Sequence, residues 1–90
     1  MDEIALLRFW RGELAAALGI DASMVDIDAV LALAKATAPG VARPAVPLTA
    51  CLVGLATRAR MDSGVDAAAA FRDAITVAHR AIDGFEPPAA

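Results

Sequence analysis

Apolar residues recur at helical spacing in four segments of this 90-residue chain, and no run shows the strict alternation of a half-buried strand. In the first segment Ile4, Leu7, Trp10, Leu14, Ala17 and Leu18 share one broad face. Phe9 falls off that face near Glu13, where a large aromatic either meets a neighbouring helix or marks an outward contact. Asp2 and Glu3 suit the positive N-terminal end of this helix, and Gly19 suits its stop.

A short connector over 20–25 follows, and Ser23 and Asp26 are both fitted to cap what comes next. The second helix, about Asp26 to Thr37, presents Ile27, Val30, Leu31, Ala34 and Ala38 as a core stripe. Pro39-Gly40 is expected to end it, because proline disfavours helix at the residue before it and glycine tolerates positive φ. A stiff loop, Val41-Ala42-Arg43-Pro44-Ala45-Val46, leads to a third helix expected from Pro47 to about Arg60.

On that third helix Leu48, Cys51, Leu52 and Leu55 form one stripe, and Val53 and Ala56 carry apolarity around the side. A helix apolar nearly all round is expected at the centre of a bundle, and Gly54 in its middle is expected to permit close helix approach. Ser63-Gly64-Val65-Asp66 resembles a capping box with Asp in the Glu position. The fourth helix then runs to about Ile82 with Ala68, Phe71, Ile75, Ala78 and Ile82 inward, and Asp83-Gly84 ends it. Short connections favour antiparallel neighbours, so the expectation is an all-α, compact four-helix bundle with a Pro-rich loop between helices 2 and 3. It comprises a single domain over 1–84 and a flexible C-terminal tail over 85–90.

Composition removes several function classes. Hydrophobic residues make up 59%, tyrosine is absent and aromatics are 4%, so the core must be aliphatic and alanine-rich. The formal net charge is −3, and Lys and Arg are not clustered, which argues against a nucleic-acid partner. The acidic start Met1-Asp2-Glu3 is wrong for a signal peptide. The apolar run from Pro44 to Thr57 contains two prolines and falls short of a bilayer span of about 20 residues. A cytoplasmic setting without membrane attachment is expected. The one cysteine, Cys51, allows neither an intramolecular disulfide nor a cysteine-based zinc site, and on an apolar stripe it is expected to be buried and inert.

Candidate chemistry is sparse. Arg72, Thr76 and His79 form a polar stripe on the edge of the fourth helix. Arg and His together suit a phosphate or carboxylate, although a histidine at a bundle's rim is the commoner explanation. The pairs Asp26/Asp28 and Asp62/Asp66 flank helix starts, where capping and the helix dipole explain carboxylates better than metal or acid–base work. Arg43, between Ala42 and Pro44, has a nearly fixed backbone. Its guanidinium either clamps an anion or ties the corner down by meeting a carboxylate or the carbonyls that end the second helix, and the structural role is favoured. No phosphate loop, metal set or nucleophile–base pair is present, so no catalytic residue, metal or cofactor is expected and the protein is read as a non-enzyme.

The segment Gly40-Val41-Ala42-Arg43-Pro44-Ala45-Val46-Pro47-Leu48-Thr49, followed by Leu52-Val53-Gly54-Leu55, resembles a small uncharacterised bacterial helical domain family. That family occurs alone or fused to nucleotidyltransferases resembling molybdenum-cofactor guanylyltransferase. The N-terminal Trp helix and Leu18-Gly19-Ile20-Asp21 share in the resemblance, which covers most of the chain. Members often carry a histidine where this chain has Pro39, a departure that weakens transfer of any site. The resemblance implies an accessory role near molybdopterin-guanine-dinucleotide synthesis. The expected function is a non-catalytic helical interaction module, with a second copy of the chain or a nucleotidyltransferase as partner and Phe9 at the interface. The alternative is a small anionic-ligand binder using Arg43, joined by Arg72 and His79.

Overall fold

A computed structural model describes residues 1–89, and in these the chain forms four helices: α1 (Glu3–Leu18), α2 (Ile27–Gly40), α3 (Ala45–Asp62) and α4 (Ala67–Asp83). The expected all-α four-helix bundle is what the sequence builds. Each boundary has a local cause. Asp2 caps α1 through Oδ1, which accepts from the Ala5 N–H at 2.7 Å. Gly19 closes that helix at φ +69°, with its own N–H on the Ala16 carbonyl and the Ile20 N–H on that of Ala15. In the connector the Asp21 carboxylate accepts from the Ser23 N–H at 2.9 Å, and this bond, with a second from the Ser23 side chain, holds the carboxyl below its ordinary value. Of the two candidate caps for α2 it is Asp26 that serves, accepting from the Asp28 N–H at 3.0 Å.

Helix α2 continues through Pro39 to Gly40 instead of stopping before the proline. Pro39 sits in the last turn, so the one intrahelical bond it removes is to Lys35 on the exposed side, and the Val41 N–H still closes onto the Thr37 carbonyl at 2.9 Å. Gly40 keeps negative φ. Its need for a missing side chain is different: a Cβ there would lie 2.7 Å from Ile82 Cγ2, so Gly40 is where α2 and α4 approach most closely around a glycine. Gly54 does the opposite of what was expected, with open space where its Cβ would be.

Helix α3 starts two residues early, at Ala45, with Pro47 inside its first turn and Pro44 as cap residue. The Ser63 capping box does not form. Ser63 instead ends α3, its Oγ donating to the Arg60 carbonyl at 2.9 Å. Gly64 at φ +100° then turns the chain, and Asp66 alone caps α4 by accepting from the Ala69 N–H.

The core lies among α2, α3 and α4, where Leu33, Val53, Phe71 and Ala74 are buried and Val30, Ala56, Ile75, Ala78 and Ile82 pack around them. Small residues dominate the α3–α4 seam, which brings these two helices into the most extensive contact of the fold. Two threonines, Thr37 and Thr57, are buried as well, each hydroxyl donating to the carbonyl four residues back, Leu33 at 2.6 Å and Val53 at 2.8 Å. In α4 Phe71, Ile75, Ala78 and Ile82 turn inward as the spacing predicts, whereas Ala68 is exposed and Ala70 and Ala74 take the deepest places. In α2 the expected stripe is rotated: Leu33 and Thr37 are buried, Leu31 is exposed, and Val30, Ala34 and Ala38 lie at the margin. After Asp83 the described residues of the tail carry no helix or strand, and Ala90 lies outside the described residues.

Helix α1 stands at the edge of the bundle. Of the other helices it approaches α2 alone among the described residues, and Ile4, Leu7, Arg11 and Ala15 along one of its faces are half-buried. Its anchor is the Arg11 guanidinium, whose Nη1 donates to the Val25 carbonyl at 2.6 Å.

Candidate interaction surface

Helix α3 has two apolar faces, and the bundle uses one. Val53 and Thr57 point into the core, flanked by Thr49 and Ala56. The stripe read as central, Leu48, Cys51, Leu52 and Leu55, faces solvent: Leu48, Leu52 and Leu55 are 60%, 55% and 65% exposed, and the Cys51 thiol is exposed too. The reason is steric. Helices that pack closely need short side chains at the seam, so α3 turns its Val-Ala-Thr face to α4 and α2 and leaves its leucines outside. Cys51 is therefore a surface cysteine on an apolar ridge, not a core residue.

Helix α1 repeats the pattern. Its Ile4/Leu7 side meets α2, while Leu6, Phe9, Trp10, Leu14 and Leu18 are exposed, Phe9 to 58% and Trp10 to 56%. The broad inward face expected for α1 is thus divided, and Trp10, Leu14 and Leu18 belong to the outer part together with Phe9. A third apolar area adjoins the α3 ridge: a hollow of about 340 Å³ between α3 and α4, into which Leu52, Val77, Ala81 and Phe85 project their surfaces.

These faces leave a large total surface. The chain exposes 6339 Å², against about 4,900 Å² for a compact monomer of its 9.2 kDa mass. Its radius of gyration is 14.1 Å, where about 12 Å is usual for this length. The exposed leucines and aromatics, arranged as stripes at helical spacing, are chemically suited to take another helix by ridge-into-groove packing.

The polar candidates do not gather into a site. Arg43 lies in the loop between α2 and α3, exposed, and its guanidinium makes no hydrogen bond or ion pair among the described residues. The expected tie at the corner is therefore absent; the corner is held by backbone bonds, the Ala45 N–H to Ala42 and the Val46 N–H to Arg43. Arg72 is at the other end of the molecule, on a small hollow with Met24, Asp26 and Thr76. Ten residues of α4, about 15 Å, separate it from Ile82, which packs by the corner. His79 is half-buried on α4, seven residues beyond Arg72. Among the described residues no group of three or more His, Cys, Asp or Glu side chains is placed to hold a metal, and no helix is long and apolar enough to cross a membrane.

The outer ridge of α3 was the feature hardest to see in the sequence. Leu48, Cys51, Leu52 and Leu55 follow an i, i+3, i+4, i+7 spacing, and on periodicity alone such a stripe is assigned to the core. The signal that points the other way is Thr49, Val53, Ala56 and Thr57, a face small enough for close helix contact. No curated protein and no solved structure matches the chain. Residues 2–90 match a family described as a domain of unknown function, DUF6457, and with nearly its whole length covered, the chain belongs to that family.

Proposed function

We propose that this domain is a non-catalytic helical interaction module that docks other proteins through the outer ridge of α3 and the outer face of α1. One observation carries the reading: Leu48, Leu52 and Leu55 stand in line on the solvent side of α3, and a contiguous exposed apolar stripe of this kind marks a contact surface. For the partner, the sequence resemblance supports a nucleotidyltransferase of the molybdenum-cofactor guanylyltransferase kind, giving the module an accessory role in molybdopterin-guanine-dinucleotide synthesis. A second copy of the chain is the other partner that the same surface suits.

The test is a titration of the purified domain into such a nucleotidyltransferase by calorimetry, with wild-type chain and with Leu52→Glu/Leu55→Glu. Both positions are exposed, so the variant should keep its helical circular dichroism and lose binding at least tenfold. Binding that is unaffected by the double substitution would remove the ridge from the interface. The reading as a whole falls if the domain binds neither the enzyme nor itself at high concentration.

A second reading rests on Arg43. An exposed guanidinium with no protein partner among the described residues, beside the positive N-terminal end of α3, suits a small anion such as a phosphate or carboxylate. Arg43→Ala should then abolish binding of inorganic phosphate, followed by phosphorus NMR, with the melting temperature unmoved. Equal phosphate binding by the variant rules this reading out.

A further inference from the structure

Helix α1 and the connector that follows it border a polar hollow of about 390 Å³. Arg8, Arg11 and Gly12 stand on its helical wall, and Asp21 and Ser23 on its connector wall. The charges in it are unmatched. Arg8 and Arg11 are like-charged neighbours at i, i+3, a spacing that disfavours the helix, and no residue three or four positions from either is acidic. Arg58 on α3 differs, with Asp62 one turn on and paired to it at 3.0 Å. Asp21 lines the same hollow as the two arginines, yet it makes no ion pair with either among the described residues.

The groups are held in place by the fold. The half-buried Arg11 guanidinium donates from Nη1 to the Val25 carbonyl at 2.6 Å, which orients its plane and leaves its remaining donors without a protein acceptor among the described residues. The Asp21 carboxylate is oriented by the Ser23 N–H at 2.9 Å and is kept ionised by that bond. Gly12 has open space where a Cβ would stand. A glycine inside a helix weakens it, and no packing contact requires this one; what its missing side chain does is keep the hollow open one turn from Arg8.

We infer that this hollow binds an acidic α-amino acid, with its two carboxylates on Arg8 and Arg11 and its ammonium on Asp21. Two guanidinium groups and one carboxylate in the wall are complementary to two carboxylates and one ammonium in the ligand, and a simple anion leaves Asp21 opposed to it. The last turn of α1 adds to the match. It borders the hollow through Ala15 and Ala16, has the partial negative charge of a helix C-terminus and contains no basic residue, so it too suits an ammonium. The volume lies at the small end of the range of about 300–1,000 Å³ found for ligand pockets, as a ligand of this size needs. The α3 ridge lies outside the hollow, so this inference goes beyond the interaction-module reading and does not depend on it.

The probes are L-glutamate, L-glutamine and glutarate, titrated at constant ionic strength into isotope-labelled chain and followed by backbone amide shifts. Glutamate should move the amides of Gly12, Ala16 and Ser23 along a saturating course. It should bind about tenfold tighter than glutamine, which lacks the second carboxylate, and than glutarate, which lacks the ammonium. Arg8→Gln, at an exposed side chain, and Gly12→Leu, which fills the hollow, should each weaken glutamate by about tenfold or more with the helical circular dichroism retained. Asp21→Asn keeps the acceptor for the Ser23 N–H and should remove the preference for glutamate over glutarate. Equal glutamate affinity in Gly12→Leu, or shifts confined to other parts of the chain, overturns the site. Glutarate binding as tightly as glutamate to the wild-type chain overturns the ligand class, and no saturating shift with glutamate overturns the proposal outright. None of these outcomes alters the docking test on Leu52 and Leu55, which has its own readout.

Discussion

The Arg11 guanidinium donates to the Val25 carbonyl at 2.6 Å, and this bond fastens α1 to the connector just before α2 across fourteen residues of chain. No α1 residue is fully buried, so the bond and the half-buried Ile4, Leu7 and Ala15 hold the helix in place. A hydrogen bond from a charged donor contributes about 1.5–3 kcal/mol, large against the packing available here. Arg11→Met keeps the apolar stem and removes the donor. The expected outcome is faster amide exchange throughout α1 with little change in α3 and α4, measured by hydrogen exchange; equal protection in α1 would show that packing alone secures it.

Gly40 and Gly54 are both helical glycines, and the structure assigns them opposite responses to alanine. Replacing a mid-helix glycine ordinarily stabilises by about 1 kcal/mol. Gly54→Ala has open space and should show that gain in denaturant unfolding. Gly40→Ala drives a Cβ to 2.7 Å from Ile82 Cγ2, and overpacking of this kind costs about 1–3 kcal/mol. Ile82→Leu removes the offending branch at nearly constant volume, so Gly40→Ala/Ile82→Leu should recover most of the loss. Additive effects in that cycle would mean the two residues do not collide.

These glycines also show what was legible in the sequence. Helix number, order and approximate ends could be read because they depend on local chemistry: Asp2 and Asp26 as caps, Gly19 as a stop, apolar residues at helical spacing. The orientation of α3 could not. Periodicity reports that a helix has apolar faces, and α3 has two; which one the bundle buries depends on side-chain size at a seam formed by a helix some twenty residues away. Gly40 was recognised as significant for the wrong reason, positive φ, because the close approach of Ile82 is a tertiary fact. Arg43 failed similarly: backbone bonds had already closed the corner, leaving its side chain nothing to tie.

Thr37 and Thr57 are buried polar residues whose hydroxyls are satisfied inside their own helices. The carbonyls they bond, on Leu33 and Val53, belong to helical backbone, so removing the hydroxyl leaves no buried donor stranded. Substituting both partners of a polar contact by apolar shape is nearly neutral, and here only one group needs to go. Thr37→Val and Thr57→Val should each change stability by less than about 1 kcal/mol in either direction. Thr37→Ser, which keeps the hydroxyl and opens a methyl-sized void, should cost about 1 kcal/mol or more. The reverse order would assign the hydroxyls a role beyond their own helix.

Asp66 and Ser63 divide the work that one capping box would have done. Asp66 accepts from the Ala69 N–H at 3.2 Å at the start of α4, and Ser63 donates to Arg60 at the end of α3. Loss of an N-cap side chain costs about 1 kcal/mol, whereas an exposed hydroxyl on a carbonyl that already accepts backbone bonds contributes little. Asp66→Ala should therefore lower the thermal midpoint by several degrees and Ser63→Ala should leave it nearly unchanged. Equal losses at both positions would restore the capping box.

Leu33 and Leu55 are the sharpest test of which apolar residues belong to the fold of a single chain. Leu33 is 2% exposed at the centre of the core, and truncating such a leucine costs about 2–5 kcal/mol because the cavity cannot fully collapse. That cost sits within one chain and is the same at every protein concentration. Leu55 is exposed in the isolated chain, so Leu55→Ala should cost less than about 0.5 kcal/mol when the protein is dilute. If the α3 ridge is covered by a second copy, wild-type stability rises with concentration by mass action, and Leu55→Ala should flatten that rise while Leu33→Ala shifts the whole curve down in parallel. Thermal unfolding followed across a wide concentration range reads both effects, and a Leu55→Ala curve parallel to wild type at all concentrations would place Leu55 outside any self-interface.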